Sequence, residues 1–116
     1  MKNIHIALDL DKTLAYYESK WRAKKVGEPI QPMVDKVKYW LSKGYKVSIF
    51  SARLSHSGDE LVKQIHLIKE FLLEAGLPNL DKTAIKRMEF THFIDDKAYH
   101  VKPNTGEILD CPEELK

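Results

Sequence analysis

Three short runs of apolar, often branched residues are separated by stretches with a different spacing. The runs occupy residues 4–8, 45–50 and 90–94. They are too short for buried helices and are typical of strands inside a sheet. Since the intervening stretches have helical spacing, the strands are expected to pair in parallel through right-handed crossovers. The pattern predicts an α/β, three-layer Rossmann-like domain with a mainly parallel sheet.

Two amphipathic helices are predicted between these strands. The first runs from about Pro32 to Lys43, where apolar residues recur every three or four positions. The second begins at a capping box formed by Ser57 and Glu60 and continues to about Ala75. Each is followed by a glycine, the usual residue after a helix C-terminus: Gly44 and Gly76.

The remaining segments have weaker patterns. Residues 14–31 form a long polar connection, and connections of this length in small domains are commonly lids or binding loops. Residues 54–57 are predicted to be loop, and a short helical turn is expected near Thr83 to Arg87. The tail from 98 to 109 surrounds a Pro-Asn-Thr-Gly sequence and predicts a C-terminal β-hairpin.

Composition narrows the class of protein. A length of 116 residues predicts a single domain, 1–116, and 43% hydrophobic with 31% charged residues is ordinary for a globular protein. The net charge of +2 does not by itself select nucleic acid or membrane as a partner. A lone cysteine, Cys111, excludes an internal disulfide framework. With no leader and no long apolar span, we expect a cytoplasmic protein without a membrane partner.

Polar residues follow each predicted strand. Asp9 and Asp11 end the first, Ser51 ends the second, and the pair Asp95 and Asp96 ends the third. Because parallel strands share one carboxyl edge, these side chains are expected to gather there. Asp9 and Asp11 start on the same side of the chain and repel each other. A divalent cation or a shared proton would relieve that repulsion.

These residues also occur in a familiar order. The sequence D-L-D-K-T-L at 9–14 resembles the first motif, D-x-D-x-[TV], of the haloacid-dehalogenase-like phosphohydrolases. Ser51 in I-F-S-A-R matches the second motif of that family, and F-I-D-D at 93–96 matches the fourth. The third motif is a lysine, for which Lys86 fits best and Lys82 is a competitor. The chain thus resembles a small member of this family.

The resemblance implies a phosphatase that forms an aspartyl-phosphate intermediate. Asp9 would be the nucleophile, and a carboxylate suits this role because it is already ionised at neutral pH and needs no base. Asp11 would be the general acid for the leaving oxygen and then the base for the hydrolytic water. The expected function is therefore Mg²⁺-dependent hydrolysis of phosphate monoesters.

The resemblance also implies how the metal and the phosphate are held. Mg²⁺ would be bound by Asp9, Asp95 and the main-chain carbonyl of Asp11, with Asp96 holding a metal-bound water. Hydrogen bonds to the transferring oxygens would come from Ser51 and from the motif lysine, Lys86 or Lys82. Arg53 either reaches a second anionic group of the substrate or is a surface arginine.

Many members of this family carry an inserted cap domain, for which this chain has no room. Residues 14–31 are too few for a folded cap, and one helix fills the second insertion point. The expected substrate is a phosphorylated small molecule, a nucleotide or a nucleic-acid end, with 14–31 or a second copy in a homo-oligomer acting as a lid. The aromatic residues Tyr16, Tyr17 and Trp21 either stack a base or pin this segment to the body, and we favour pinning slightly.

Two other classes of protein compete with the phosphatase. A receiver domain also gathers acids, a hydroxyl, a lysine and Mg²⁺, but its phosphate-accepting Asp follows a later central strand, where this chain has Ser51. A catalytically silent phosphate-binding module would not require both Asp9 and Asp11 to be intact.

Overall fold

A computed structural model describes residues 3–116 and contains a four-stranded, all-parallel sheet. Its strands are β1 (His5–Leu8), β2 (Lys46–Phe50), β3 (Asp81–Thr83) and β4 (His92–Ile94), in the order β3-β2-β1-β4. The three predicted strands are confirmed as β1, β2 and β4. The edge strand β3 was not predicted. It ends at Thr83, where a short helical turn to about Arg87 was expected, and the described chain has no helical turn there, so this prediction was wrong. The three residues of β3 are too few and too polar to produce a periodic signal.

Two α-helices connect the first three strands: α1 (Gln31–Ser42) and α2 (Gly58–Glu74). Their bounds confirm the prediction to within one or two residues. Ser57 precedes α2, but its side chain makes no capping hydrogen bond, and Glu60 instead accepts one from the amide of Gln64 at 2.9 Å. The predicted capping box is therefore not formed. Of the helices within residues 3–116, none combines the length and apolar character that crossing a membrane requires.

Short 3₁₀ turns complete the regular structure. One, Ser19–Trp21, lies in the long connection before α1, and another, Glu113–Leu115, ends the chain. A third, Ala52–Ser55, follows β2 directly. It replaces part of the loop that was predicted at 54–57.

Both helices pack against the same face of the sheet. The chain steps in one direction from β1 to β2 to β3, and right-handed crossovers then place both helices on one side. Strand and helix residues form a common buried cluster, which includes Ile6, Leu8, Val47, Ile49, Val34, Val37, Ile68 and Leu72. The helix-facing side of the sheet is thus the hydrophobic core.

The opposite face carries aromatic rings instead of a helix. Phe50 of β2 and Phe93 of β4 lie on this face, with ring centroids 5.8 Å apart. The return from β3 to β4 adds Phe90, which contacts both rings and also His5 at 4.8 Å. The predicted three-layer arrangement is therefore wrong for the described residues, because the segment between β3 and β4 forms no helix.

The tail after β4 makes a turn with little pairing. Val101 and Ile108 form one antiparallel bridge, and Lys102 N–H donates to the carbonyl of Glu107 at 2.8 Å. No strand is assigned here within the described chain. The predicted hairpin is thus reduced to a single bridge, since residues 97–110 are exposed and have no neighbouring strand to extend it.

Candidate active site

Three adjacent strands bring the candidate residues to one end of the sheet. β1 lies between β2 and β4, so the residues that follow these strands converge. They line a cleft of about 560 Å³, as the sequence predicted: Asp9, Asp11, Ser51, Arg53, Asp95 and Asp96. This end is the carboxyl edge, where parallel sheets usually carry their binding sites.

Asp9, Asp95 and Asp96 form an acidic cluster. Each offers an oxygen, and these oxygens all lie within 4.8 Å of one another. The buried hydroxyl of Thr13 donates to Asp9 Oδ2 at 3.0 Å and accepts from the main-chain N–H of Asp96 at 3.2 Å. Thr13 therefore fixes the distance between β1 and the acids after β4. It received no role from the sequence, although it occupies the last fixed position of the first motif.

The cluster changes the acidity of Asp9. Burial raises the pKa of Asp9 from 3.8 to about 7, and the hydrogen bond that a protonated Asp9 donates to Asp96 and the charge of Asp95 act in the same direction. The hydrogen bond from Thr13 opposes the shift by stabilising the carboxylate. A negative charge on Asp9 is thus disfavoured where three acidic groups meet. Carboxylate oxygens are hard ligands, so the chemistry of these residues is compatible with a Mg²⁺ ion, whose charge would stabilise ionised Asp9.

Asp11 has a different environment from Asp9. Its carboxylate accepts two parallel hydrogen bonds from Arg53, from Nε to Oδ2 at 2.8 Å and from Nη2 to Oδ1 at 2.9 Å. Arg53 is only 4% exposed, so the expectation of a surface arginine was wrong, and its guanidinium is directed at Asp11. The two acids of the first motif therefore have different partners: Asp9 lies in the acidic cluster, and Asp11 forms an ion pair with Arg53.

Ser51 lies at the cleft and also caps a turn. Its hydroxyl oxygen accepts the main-chain N–H of Arg53 at 3.2 Å at the start of the Ala52–Ser55 turn, and the residue is buried. A hydroxyl fixed in this way lines the cleft with a defined orientation.

The two candidate lysines do not line the cleft. Lys86 Nζ lies 5.2 Å from the ring centroid of Phe93 on the aromatic face, because the return from β3 crosses that face. Lys82 lies on β3, where it donates to the carbonyl of Leu80, and burial lowers its pKa. Lys12 and Lys97 line the cleft instead. Lys86 therefore lies outside the cleft in which a phosphate was expected, and the signal for Lys97 was its position directly after the fourth motif.

Residues 14–31 fold back on themselves beside the cleft. Tyr16 N–H donates to the carbonyl of Glu28, and Ile30 N–H donates to that of Leu14, so the two ends of the segment pair. Gly27 lies so close to Tyr16 that a Cβ would stand 2.1 Å from its carbonyl oxygen, which only glycine allows.

The aromatic residues of this segment have separate positions. Tyr17 lines the cleft, whereas Trp21 packs edge-on against Tyr17 at 5.8 Å, with Lys25 Nζ 4.1 Å from the Trp21 ring centroid. Tyr16 is 59% exposed. Trp21 thus packs within the segment itself, pinning to the body stays a prediction, and Tyr17 is the aromatic side chain that a ligand would meet.

Comparisons with known proteins establish the fold alone. No family model and no curated protein matches this chain. A solved structure of a conserved protein from Bacteroides thetaiotaomicron is similar, with a TM-score of 0.59 and 21% sequence identity over 84% of this chain and 78% of that one. The parallel α/β architecture is thus shared with a solved structure.

Proposed function

We propose that this protein is a Mg²⁺-dependent phosphomonoester hydrolase of the haloacid-dehalogenase-like type, acting through an aspartyl-phosphate on Asp9. One observation carries the proposal. Three carboxylates converge at the carboxyl edge of a parallel sheet, next to a fourth, Asp11, that has its own cationic partner. An arrangement that crowds like charges together, two of them partly buried, opposes folding and is typical of a site built for a cation and an anionic substrate.

The acidic cluster would hold the metal. Asp9 and Asp95 would supply carboxylate ligands, with the main-chain carbonyl of Asp11, and Asp96 would hold a water of the ion, as the resemblance implies. Bound Mg²⁺ supplies positive charge that lets a phosphate dianion approach an anionic nucleophile. Thr13 keeps Asp9 in register with Asp96 during this approach.

The chain's own residues divide the remaining chemistry. An Asp9 carboxylate oxygen forms a bond to phosphorus while the bond from phosphorus to the leaving oxygen breaks. Asp11 gives a proton to that oxygen and later takes one from the water that attacks the aspartyl-phosphate. Ser51 and a cationic side chain of the cleft, Lys12 or Lys97, hydrogen-bond the transferring oxygens.

A catalytically silent phosphate-binding module is the second candidate. It is favoured by the ion pair of Asp11 with Arg53, in which both carboxylate oxygens already accept a hydrogen bond. The phosphatase would hydrolyse its substrate, whereas the silent module would only bind phosphate. A receiver-like protein is a weaker candidate because the residue after β2 is Ser51, not an acid.

A panel of phosphate monoesters tests the proposed function directly. We expect turnover that requires Mg²⁺ and stops in excess chelator, and we expect Ca²⁺ to inhibit because its larger, looser coordination spoils the attack geometry. The panel should include sugar phosphates, nucleotides and oligonucleotide ends. Undiminished turnover in excess chelator would exclude the metal assignment, and binding of phosphate without turnover would favour the silent module.

The raised pKa of Asp9 predicts a metal effect on stability that depends on pH. Between about pH 4 and pH 7 the folded protein binds more protons at Asp9 than the unfolded chain does, so metal-free stability falls as the pH rises through this window. Mg²⁺ requires the deprotonated cluster and competes with these protons. Thermal unfolding should therefore show a Mg²⁺-induced rise in Tm of about 5 °C near pH 8 and much less near pH 5.

Asp95→Asn is the matched control for this measurement. It removes one carboxylate of the cluster and should abolish the Mg²⁺ effect near pH 8 while leaving the fold intact. Equal shifts in Tm at both pH values, or an undiminished shift in Asp95→Asn, would show that Mg²⁺ binds elsewhere.

A further inference from the structure

The side chain of Arg53 uses every N–H it has. Two bonds go to Asp11, as described above. Of the others, Nη1 donates to the carbonyl of Ala23 at 3.2 Å and to Gln64 Oε1 at 3.1 Å, and Nη2 donates to the carbonyl of Lys25 at 2.7 Å. A guanidinium has five N–H groups in a fixed plane, and here all five are directed at protein acceptors. None remains for a substrate.

These acceptors come from three parts of the fold. Asp11 follows β1, Gln64 lies on α2, and Ala23 and Lys25 belong to residues 22–26, which we call the strap. Gln64 is completely buried and also donates to the carbonyl of Ala23 at 3.0 Å. The strap is therefore bound to the body through its main chain, by two side chains that lie beneath it.

The strap in turn positions an aromatic side chain of the cleft. The main-chain N–H of Ala23 donates to the hydroxyl of Tyr17 at 3.0 Å, and the Tyr17 ring lies 5.5 Å from the guanidinium carbon of Arg53. Since Tyr17 and Ala23 both line the cleft, a displaced strap would change the wall of the cleft.

The position of Asp11 and the position of the strap depend on each other, because both are hydrogen-bonded to the charged side chain of Arg53. Asp11 is the carboxylate that neutralises Arg53, and a buried cation without such a partner is strongly unfavourable. If Asp11 moves away, Arg53 retains only neutral acceptors. If Arg53 moves with Asp11, the strap loses its bonds at Ala23 and Lys25. Neither carboxylate nor strap can therefore move without disturbing the other.

We infer that Arg53 is a positioning residue that fastens the strap beside the cleft and orients Asp11 from the same guanidinium, so that strap movement and Asp11 movement are coupled. The task assigned to Asp11 rests on the proposed function. The fastening of the strap does not.

The fastening is tested by limited trypsin digestion, which needs no turnover. The strap contains three cleavage sites, Arg22, Lys24 and Lys25. Arg53→Lys keeps the charge but not the planar fork, so cleavage in the strap should become at least about tenfold faster as charged hydrogen bonds are lost. Arg87→Lys is the matched control, because Arg87 pairs with Asp81 on the edge strand β3 and not with the strap. In this variant the strap should be cut at the wild-type rate. An unchanged strap in Arg53→Lys would overturn the inference.

The orientation of Asp11 is tested by a double-mutant cycle on kcat. Arg53→Lys should lower kcat by about 10- to 100-fold with a smaller change in KM, and in an Asp11→Asn background the same substitution should cost less than about threefold. If Arg53→Lys lowered kcat by the same factor in the wild-type and Asp11→Asn backgrounds, the coupling would be overturned, because a merely structural role of Arg53 acts independently of Asp11. A wild type without turnover would refute the proposed function, and the digestion result would still decide the fastening.

Gln64→Met provides a second variant if Arg53→Lys does not fold. It leaves the Arg53–Asp11 pair in place and removes the contact of α2 with the strap. Faster strap cleavage in Gln64→Met supports the network, and an unchanged rate overturns it.

Discussion

Asp9→Asn is expected to abolish turnover and covalent phosphorylation together, while making the protein more stable. A neutral amide cannot attack phosphorus, so the loss in kcat should be at least about ten-thousandfold. The amide oxygen can still accept the hydrogen bond from Thr13, so the position of the side chain is preserved. Because burial and neighbouring acids raise the pKa of Asp9 to about 7, removing its charge should raise Tm above that pH in the absence of metal. Loss of activity with a gain in stability cannot be attributed to unfolding.

Intact mass after brief incubation with an activated phosphoester and Mg²⁺ measures the covalent step. The wild type should show a transient phosphate adduct on Asp9, and Asp9→Asn should show none. Asp35→Asn is the matched control, since Asp35 is an exposed acid on α1, and it should behave as wild type. Full activity in Asp9→Asn, or phosphate mapped to any other residue, would refute the mechanism.

Asp11→Asn is expected to slow both half-reactions and to trap the intermediate. The loss should be about 100- to 10,000-fold, the usual contribution of a positioned proton carrier. A substrate with a good leaving group scarcely needs the acid, so it should still phosphorylate Asp9. Hydrolysis of the aspartyl-phosphate needs the base whatever the leaving group was. Asp11→Asn should therefore accumulate the phosphate adduct that Asp9→Asn cannot form.

The same substitution should have the opposite effect on stability from Asp9→Asn. Asparagine leaves the buried Arg53 cation without a carboxylate, which should cost on the order of 2 kcal/mol after allowance for the partial exposure of Asp11. Asp9→Asn and Asp11→Asn are isosteric changes two residues apart, and thermal unfolding should show opposite shifts in Tm for them. Adduct mapping should distinguish them as well. Absence of an adduct with an activated substrate would contradict the assigned role of Asp11. A long-lived adduct on the wild type would instead indicate receiver-like behaviour.

The sequence predicted the elements that produce strong local patterns. β1, β2 and β4 contain apolar runs, and α1 and α2 have amphipathic spacing, so each could be located closely. β3 could not, because Asp81–Thr83 is a short, polar edge strand whose pairing depends on β2. The aromatic face was also not predicted. It exists because no helix forms between β3 and β4, and the absence of a helix produces no distinctive pattern in the sequence.

The candidate site was predictable where it depends on strand ends. Asp9, Ser51 and Asp95 each follow a strand, and parallel pairing alone brings them to one edge. The ion pair of Arg53 with Asp11 joins residues 42 positions apart, and only the packing of the strap and α2 determines it. The position of Lys86 likewise depends on the path of the return across the aromatic face.

The order of the strands determines how firmly the candidate nucleophile is held. β1 is hydrogen-bonded on both sides, and the pairing with β4 continues through Asp9, whose N–H donates to the carbonyl of Ile94 at 2.9 Å. Main-chain amides in the middle of a sheet exchange with solvent only when most of the fold opens, whereas edge strands and exposed segments open locally. β3 and β4 are both edge strands, so Asp95 and Asp96 after β4 can open locally while Asp9 stays fixed at the end of β1. In this fold, the candidate nucleophile thus belongs to the most cooperative layer, and the other two carboxylates of its acidic cluster belong to an edge that opens more easily.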